Sequence, residues 1–197
     1  MLSGIFLLLF FSCNINNMES LGDSNFVLGN YELSAEEYHQ AIRSDPRDVI
    51  LYLKLAEAFR EMNAPEKALS VLGIASKLTE EREAVNRMRA HLYYDLSDLD
   101  SALKYIRLAE KSHARSRTLD GLMLEAEIAM KRKQWERAFF FWEQVIRRHR
   151  SNSKAYFARA AVRLKLADRQ GARKDWLTAR TLGYYSEKYD SLFTQIR

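Results

Sequence analysis

Four columns of residues recur along this chain at a nearly constant interval. Ser34, Ala68, Ala102, Ala138 and Ala172 are small and stand 34, 34, 36 and 34 residues apart. Four residues after each comes a large side chain, Tyr38, Leu72, Ile106, Trp142 or Trp176, and seven after each comes Ala41, Ala75, Ala109, Val145 or Ala179. Offsets of 0, +4 and +7 share one face of an α-helix, so each unit carries a helix whose buried stripe runs small, large, small. Twelve residues before the first column stands another small set, Gly22, Ala56, Ala90, Ala126 and Ala160. Around these, the segments near 15–28, 49–62, 84–96, 119–132 and 153–166 are apolar at helical spacing. Each unit is therefore a hairpin of two antiparallel helices joined by a turn such as LGNY, MNAP, LSDL, KRKQ or LADRQ. A Gly or Ala lets paired backbones approach closely while a large neighbour fills the adjacent groove. A hairpin with two apolar faces cannot bury both alone, so the units must stack.

Composition agrees with an all-α chain. Only 7 Gly and 2 Pro occur, too few for the turns of a many-stranded β protein. With 47% hydrophobic and 12% aromatic residues the chain has ample material for a core, which excludes disorder as its dominant state.

The segments LGNYELSAEEYHQAIRSDP and LADRQGARKDWLTARTLGY, together with the period of 34, resemble the tetratricopeptide repeat. Gly29, Tyr31, Ser34, Tyr38, Ala41 and Pro46 fall where that pattern carries a turn glycine, an aromatic, a small residue, an aromatic, a small residue and a closing proline. The resemblance implies a right-handed superhelical solenoid over residues 13–197, with five hairpins at about 15–48, 49–82, 83–118, 119–152 and 153–186. Residues 186–197 would form a capping helix, with Tyr189, Leu192, Phe193 and Ile196 on one side. The proline column is filled only by Pro46, and Asn25 and Arg163 stand where a large apolar residue is usual. The third repeat carries two extra residues, which makes its junction with the fourth a place for altered superhelical twist.

Nothing in the chain points to chemistry. There is no GxxxxGK phosphate loop, no GxSxG elbow and no HExxH zinc motif. His39, His91, His113 and His149 are dispersed, and a zinc site needs several convergent ligands, so no metal is expected. Adjacent carboxylates such as Glu36-Glu37 and Glu80-Glu81 point about 100° apart on a helix and cannot flank a substrate. The expectation is a protein that is not an enzyme and takes no cofactor.

Binding remains. The resemblance implies that the first helix of each repeat lines a concave groove that receives a peptide or a partner helix. The corresponding positions are Lys54, Glu57, Arg87, His91, Tyr94, Glu127, Lys131, Lys154, Phe157 and Lys165, a mixture of charge and aromatics found at protein interfaces. Tyr94 and Phe157 can equally pack between neighbouring helices. Relatives that clamp a chaperone's terminal carboxylate use basic and amide side chains on successive first helices. Here the matching positions hold Glu19, Asp23, Leu53 and Glu57, which have the wrong charge for that ligand.

Charge divides the chain. Residues 1–110 hold 11 Lys/Arg and 17 Asp/Glu, a balance of −6, and residues 111–197 hold 20 and 9, a balance of +11. Such a basic half attracts an acidic protein, anionic lipid or nucleic acid, or forms a solvated face. The runs KRKQWER and IRRHRSNSK lie at opposite ends of one helix of about 14 residues, roughly 20 Å apart, which disfavours nucleic acid.

The first residues, MLSGIFLLLFFSC, hold an apolar run from Ile5 to Phe11 that is far short of the ~20 residues needed to span a bilayer. Its length suits an export signal, and Ser12 supplies a small residue at a cleavage site ahead of Cys13, the chain's sole cysteine. This resembles the signal of bacterial lipoproteins, in which the cysteine is acylated and becomes the new amino terminus. Phe10 and Phe11 replace the Leu and the small residue usual there, and no Lys or Arg precedes the run. The resemblance implies a signal at residues 1–12, a lipid on Cys13 and a place in the bacterial envelope, facing the periplasm. The alternatives are a plain cleaved secretory signal, or a cytosolic adaptor whose first residues pack on the array.

Overall fold

The computed structural model describes residues 18–80, 82–111 and 117–185. Cys13, the run before it, His113 and the expected capping helix at 186–197 lie outside the described residues. Every regular element among them is helical. The first hairpin pairs α1 (residues 18–27) with α2 (Tyr31–Ser44), and the second pairs α3 (Val49–Glu61) with α4 (Pro65–Leu78). The third pairs α5 (Glu83–Asp95) with α6 (Leu99–Ala109), and the fourth pairs α7 (Leu119–Lys131) with α8 (Trp135–Arg148). The fifth pairs α9 (Ser153–Lys165) with α10 (Arg169–Thr181). None of these helices is long and apolar enough to cross a membrane.

The repeating columns are the buried seam of each hairpin. Ser34, Ala68, Ala102, Ala138 and Ala172 are fully buried, as are Ala56, Ala90, Ala126 and Ala160 on the preceding helices. The large column between them, from Tyr38 to Trp176, is buried as well. The first hairpin solves the approach differently: Gly22 stands in the Ala column, and the Ser34 hydroxyl donates to the Gly22 carbonyl at 2.9 Å. A methyl group on Gly22 would come within 2.5 Å of the Tyr38 ring.

All five turns have one design. Gly29, Asn63, Ser97, Lys133 and Ala167 occupy the same register and all have φ between 54° and 78°. In each, the left-handed residue's N–H bonds three residues back and the next N–H bonds five back, as in Asn63 to Arg60 and Ala64 to Phe59, both at 2.9 Å. This double bond satisfies the last carbonyls of the first helix and turns the chain into the second. Side chains then restart the helices. Asp48, Thr118, Asn152 and Asp168 each accept a hydrogen bond from the backbone of the helix they precede, and Pro65 occupies the first turn of α4.

Contacts divide the chain into two compact units that meet in sequence between Ala109 and Glu110, at the end of the longer third repeat. In the N-terminal unit α2 packs on α3 and α4 on α5 around a core that includes Tyr38, Leu55, Leu72 and Leu92. In the C-terminal unit α8 packs on α9, and Trp142 is fully buried with its indole N–H directed at the Met130 sulfur, 3.2 Å away. Glu110 accepts from the Thr118 backbone N–H at 2.8 Å and its hydroxyl at 3.0 Å. That carboxylate ties Glu110 to the residue that precedes α7.

Candidate functional site

The ten side chains singled out from the sequence all lie on first helices, α3, α5, α7 or α9, and none is buried. In the N-terminal unit Lys54 is the centre of a cluster. Its ammonium donates to Glu19 at 2.8 Å and to both oxygens of Asp23 at 2.7 Å, bridging α3 to α1. Asp23 also accepts from the Tyr38 hydroxyl at 2.8 Å, so one carboxylate joins three helices. Burial works against the Lys54 charge, but its hydrogen bonds to Asp23 and Glu19 outweigh it and hold its pKa above the ordinary lysine value. Burial, and then the bond to Asp23, push Tyr38 up to about 12, so its hydroxyl remains a donor.

Glu57 accepts from Arg60 at 2.9 Å, and Arg60 reaches across to Asp95 at the end of α5 at 2.7 Å. Arg87 pairs with Glu83 one turn earlier. His91 and Tyr94 are half-buried further along α5. In the C-terminal unit Glu127 and Lys154 are brought together, 2.8 Å apart, across α7 and α9. Phe157 stacks on Tyr184 with ring centroids 4.5 Å apart and packs against the cluster of Ala160, Ala172 and Trp176, so its ring has internal partners. Lys131 and Lys165 are exposed at the turn ends, with Lys165 6.0 Å above the Trp135 ring.

A register emerges from these pairs. Eleven residues before the small column stand Asp23, Glu57, His91 and Glu127, so three first helices carry an acid at one position. Each acid is matched by a nearby cation, Lys54, Arg60 or Lys154. These pairs are part exposed, and such pairs contribute only ~0–1 kcal/mol, so their cations can be exchanged at small cost.

A buried ionic cluster lies outside the residues singled out from the sequence. Asp175 on α10 is 3% exposed and accepts two 2.7 Å hydrogen bonds from Arg159 on α9, with Arg163 3.3 Å away. Arg163, out of place as an apolar position, is held by that carboxylate and lies 5.4 Å over Phe139. Glu125, also buried, pairs with Arg117. The signal was in the columns: Arg159 and Asp175 stand in the registers that hold Leu55 and Val71 in the second hairpin. Two opposite charges entering apolar registers of one repeat mark a pair. Among the described residues no three metal-ligating side chains converge.

Residues 20–73 match the family model described as tetratricopeptide repeat. The fold is a tetratricopeptide-repeat fold. It is similar to the structure reported for Pseudomonas aeruginosa pilF, at 16% identity over 90% of this chain and 80% of that one, with a TM-score of 0.78. It is also similar to PilW, a widely conserved type IV pilus biogenesis factor, at 14% identity over 91% and 82% of the two chains, again with a TM-score of 0.78. Yeast Tom70 matches at 20% identity with a TM-score of 0.73, over 90% of this chain and 38% of its own. No curated protein matched the sequence. At these identities the tetratricopeptide-repeat fold is the shared property.

Proposed function

We propose that this protein is a non-catalytic scaffold that binds another protein or peptide along its first helices and is held at the bacterial envelope by a lipid on Cys13. The observation that carries the reading is placement: ten charged, polar and aromatic side chains stand on first helices, and none is committed wholly to the core. Asp23 and Glu57 in the N-terminal unit, and Glu127 in the C-terminal unit, each favour a basic group of a partner, whose Lys or Arg side chains replace Lys54, Arg60 or Lys154 on these carboxylates. The likeness in fold to PilF and to PilW, a pilus biogenesis factor, supports an assembly role in the envelope by analogy.

Site-specific photo-crosslinkers test the face. Placed at Arg87 and Lys154 on first helices they trap a partner, whereas at Lys104 and Arg173 on second helices they do not; equal trapping at both pairs would overturn the assignment. Changing Glu57 and Glu127 to Gln weakens that capture. Labelling with a fatty acid tests the anchor: label enters the wild type and is absent from Cys13→Ala. Label retained by the variant, or missing from the wild type, removes the lipid from the proposal.

A further inference from the structure

In each unit the hairpin turns form an edge, acidic in the N-terminal unit and basic in the C-terminal unit. In the N-terminal unit the eight residues before each small column, 26–33, 60–67 and 94–101, contain Glu32, Glu61, Glu66, Asp95, Asp98 and Asp100 against Arg60 and Lys67, a net −4. In the C-terminal unit the same windows, 130–137 and 164–171, contain Lys131, Arg132, Lys133, Arg137, Lys165 and Arg169 against Glu136 and Asp168, a net +4. The reversal is register by register: the position that holds Glu61 and Asp95 in the second and third repeats holds Lys131 and Lys165 in the fourth and fifth.

Within each unit these turns are neighbours. The 2.7 Å pair of Arg60 with Asp95 ties the second turn to the third, and Phe26, Phe59 and Met62 pack on one core cluster, which ties the first turn to the second. Lys165 over Trp135 ties the fourth turn to the fifth. The acidic edge also exposes apolar side chains: Val27 is 84% and Leu28 74% exposed beside the first turn, and Leu96 is exposed beside the third. Acids around exposed apolar groups suit a partner that brings cations on long aliphatic stems, which cover apolar surface while the charge pairs at the rim.

We propose that a second copy of this chain supplies that partner, its basic turn edge docking on the acidic turn edge of the first. The net charges are equal and opposite, and the spacing is commensurate. Both edges are built on one repeat, in which neighbouring helices lie about 8–10 Å apart, so successive cations of one copy meet successive acids of the other in step. The contact joins unlike surfaces, so after it one copy retains an unused acidic edge and the other an unused basic edge, each open to a further copy.

Sedimentation velocity on the full chain tests this. At about 20 mM salt the average mass rises with protein concentration, and the dissociation constant increases at least about tenfold by about 500 mM salt. Glu61→Lys with Glu66→Lys disables the acidic edge, and Lys133→Glu with Arg169→Glu disables the basic one. All four side chains are exposed, and circular dichroism verifies that both variants fold. Each variant alone loses self-association, and an equimolar mixture forms a dimer that does not grow, because each brings the edge the other lacks. A monomeric wild type at low salt overturns the proposal. So does association that persists at high salt, as one driven by the apolar amino-terminal run would, or a mixture that stays monomeric.

Discussion

Arg159 and Asp175 meet across the fifth hairpin through two parallel hydrogen bonds of 2.7 Å, in the registers where the second hairpin buries Leu55 and Val71. Burial alone would penalise the guanidinium, but the Asp175 carboxylate outweighs it and keeps the Arg159 pKa above its ordinary value. Arg163 adds a second cation at the register of Phe59. Asp175→Val leaves two arginines facing each other without their carboxylate and costs about 3–5 kcal/mol. The triple change Arg159→Leu, Arg163→Phe, Asp175→Val installs the apolar set of the second hairpin and restores stability to within about 1 kcal/mol of wild type or above it. All three tryptophans, Trp135, Trp142 and Trp176, lie in the C-terminal unit, so their fluorescence during urea unfolding measures this directly.

The turns predict a gain. Ser97 and Ala167 carry φ of 62°, a left-handed conformation that costs an L-residue about 1–2 kcal/mol. Glycine removes that strain and gives up about 0.5–1 kcal/mol through its freer unfolded chain. Ala167→Gly therefore stabilises the C-terminal unit by roughly 0.5–1 kcal/mol. Gly29→Ala, at φ 78°, destabilises the N-terminal unit by a similar amount. A urea midpoint followed by tryptophan fluorescence checks the first, and one followed by circular dichroism checks the second.

What was legible in the sequence was the seam, because every hairpin needs a small residue where backbones cross and a large one beside it. From Ala68 to Ala172 that need leaves a mark at nearly constant spacing, and the bounds of α3, α5, α7 and α9 fall within a residue of the apolar segments. The partners of Arg163 and Lys54 left no such mark. Arg163 read as a departure from the apolar pattern because its partner, Asp175, lies twelve residues on in another helix. Lys54 read as an open binding position, yet its partners Glu19 and Asp23 are more than thirty residues earlier. Which charges meet depends on how helices face one another, and that is set by packing. The two extra residues of the third repeat could be counted, but the capture of Thr118 by Glu110 could not be inferred from the count.

Gly22 and Tyr38 form a matched pair with a reciprocal test. Alanine is the better helix former by about 1 kcal/mol, yet its methyl group on α1 would meet the Tyr38 ring, which Asp23 holds in place through the hydroxyl. Gly22→Ala therefore destabilises the first hairpin, by about 1–3 kcal/mol before the helix gain is counted. Adding Tyr38→Leu reproduces Ala56 opposite Leu72 in the second hairpin and recovers part of the loss. Hydrogen exchange of the α1 amides reports both steps. Unchanged protection in Gly22→Ala would refute the close approach.

The first hairpin also carries an acid-sensitive group at its second helix. His39 lies edge-on to Phe59, with ring centroids 6.1 Å apart. Burial, and then the charge of Arg43 one turn later, hold its pKa below the ordinary value of 6.5. The unfolded chain thus takes up this proton more readily than the folded one. Its contribution to stability is full above pH 6.5, declines as pH falls, and is lost once pH has passed the folded pKa. Proton NMR titration should place His39 below 6.5, and Arg43→Gln should move it part of the way back. Burial, the larger cause, persists in that variant, so a complete return to 6.5 would assign the whole shift to Arg43. In His39→Gln the difference in unfolding midpoint between pH 7.5 and 5 becomes smaller than in the wild type, because the group that distinguishes the two states by its proton is gone.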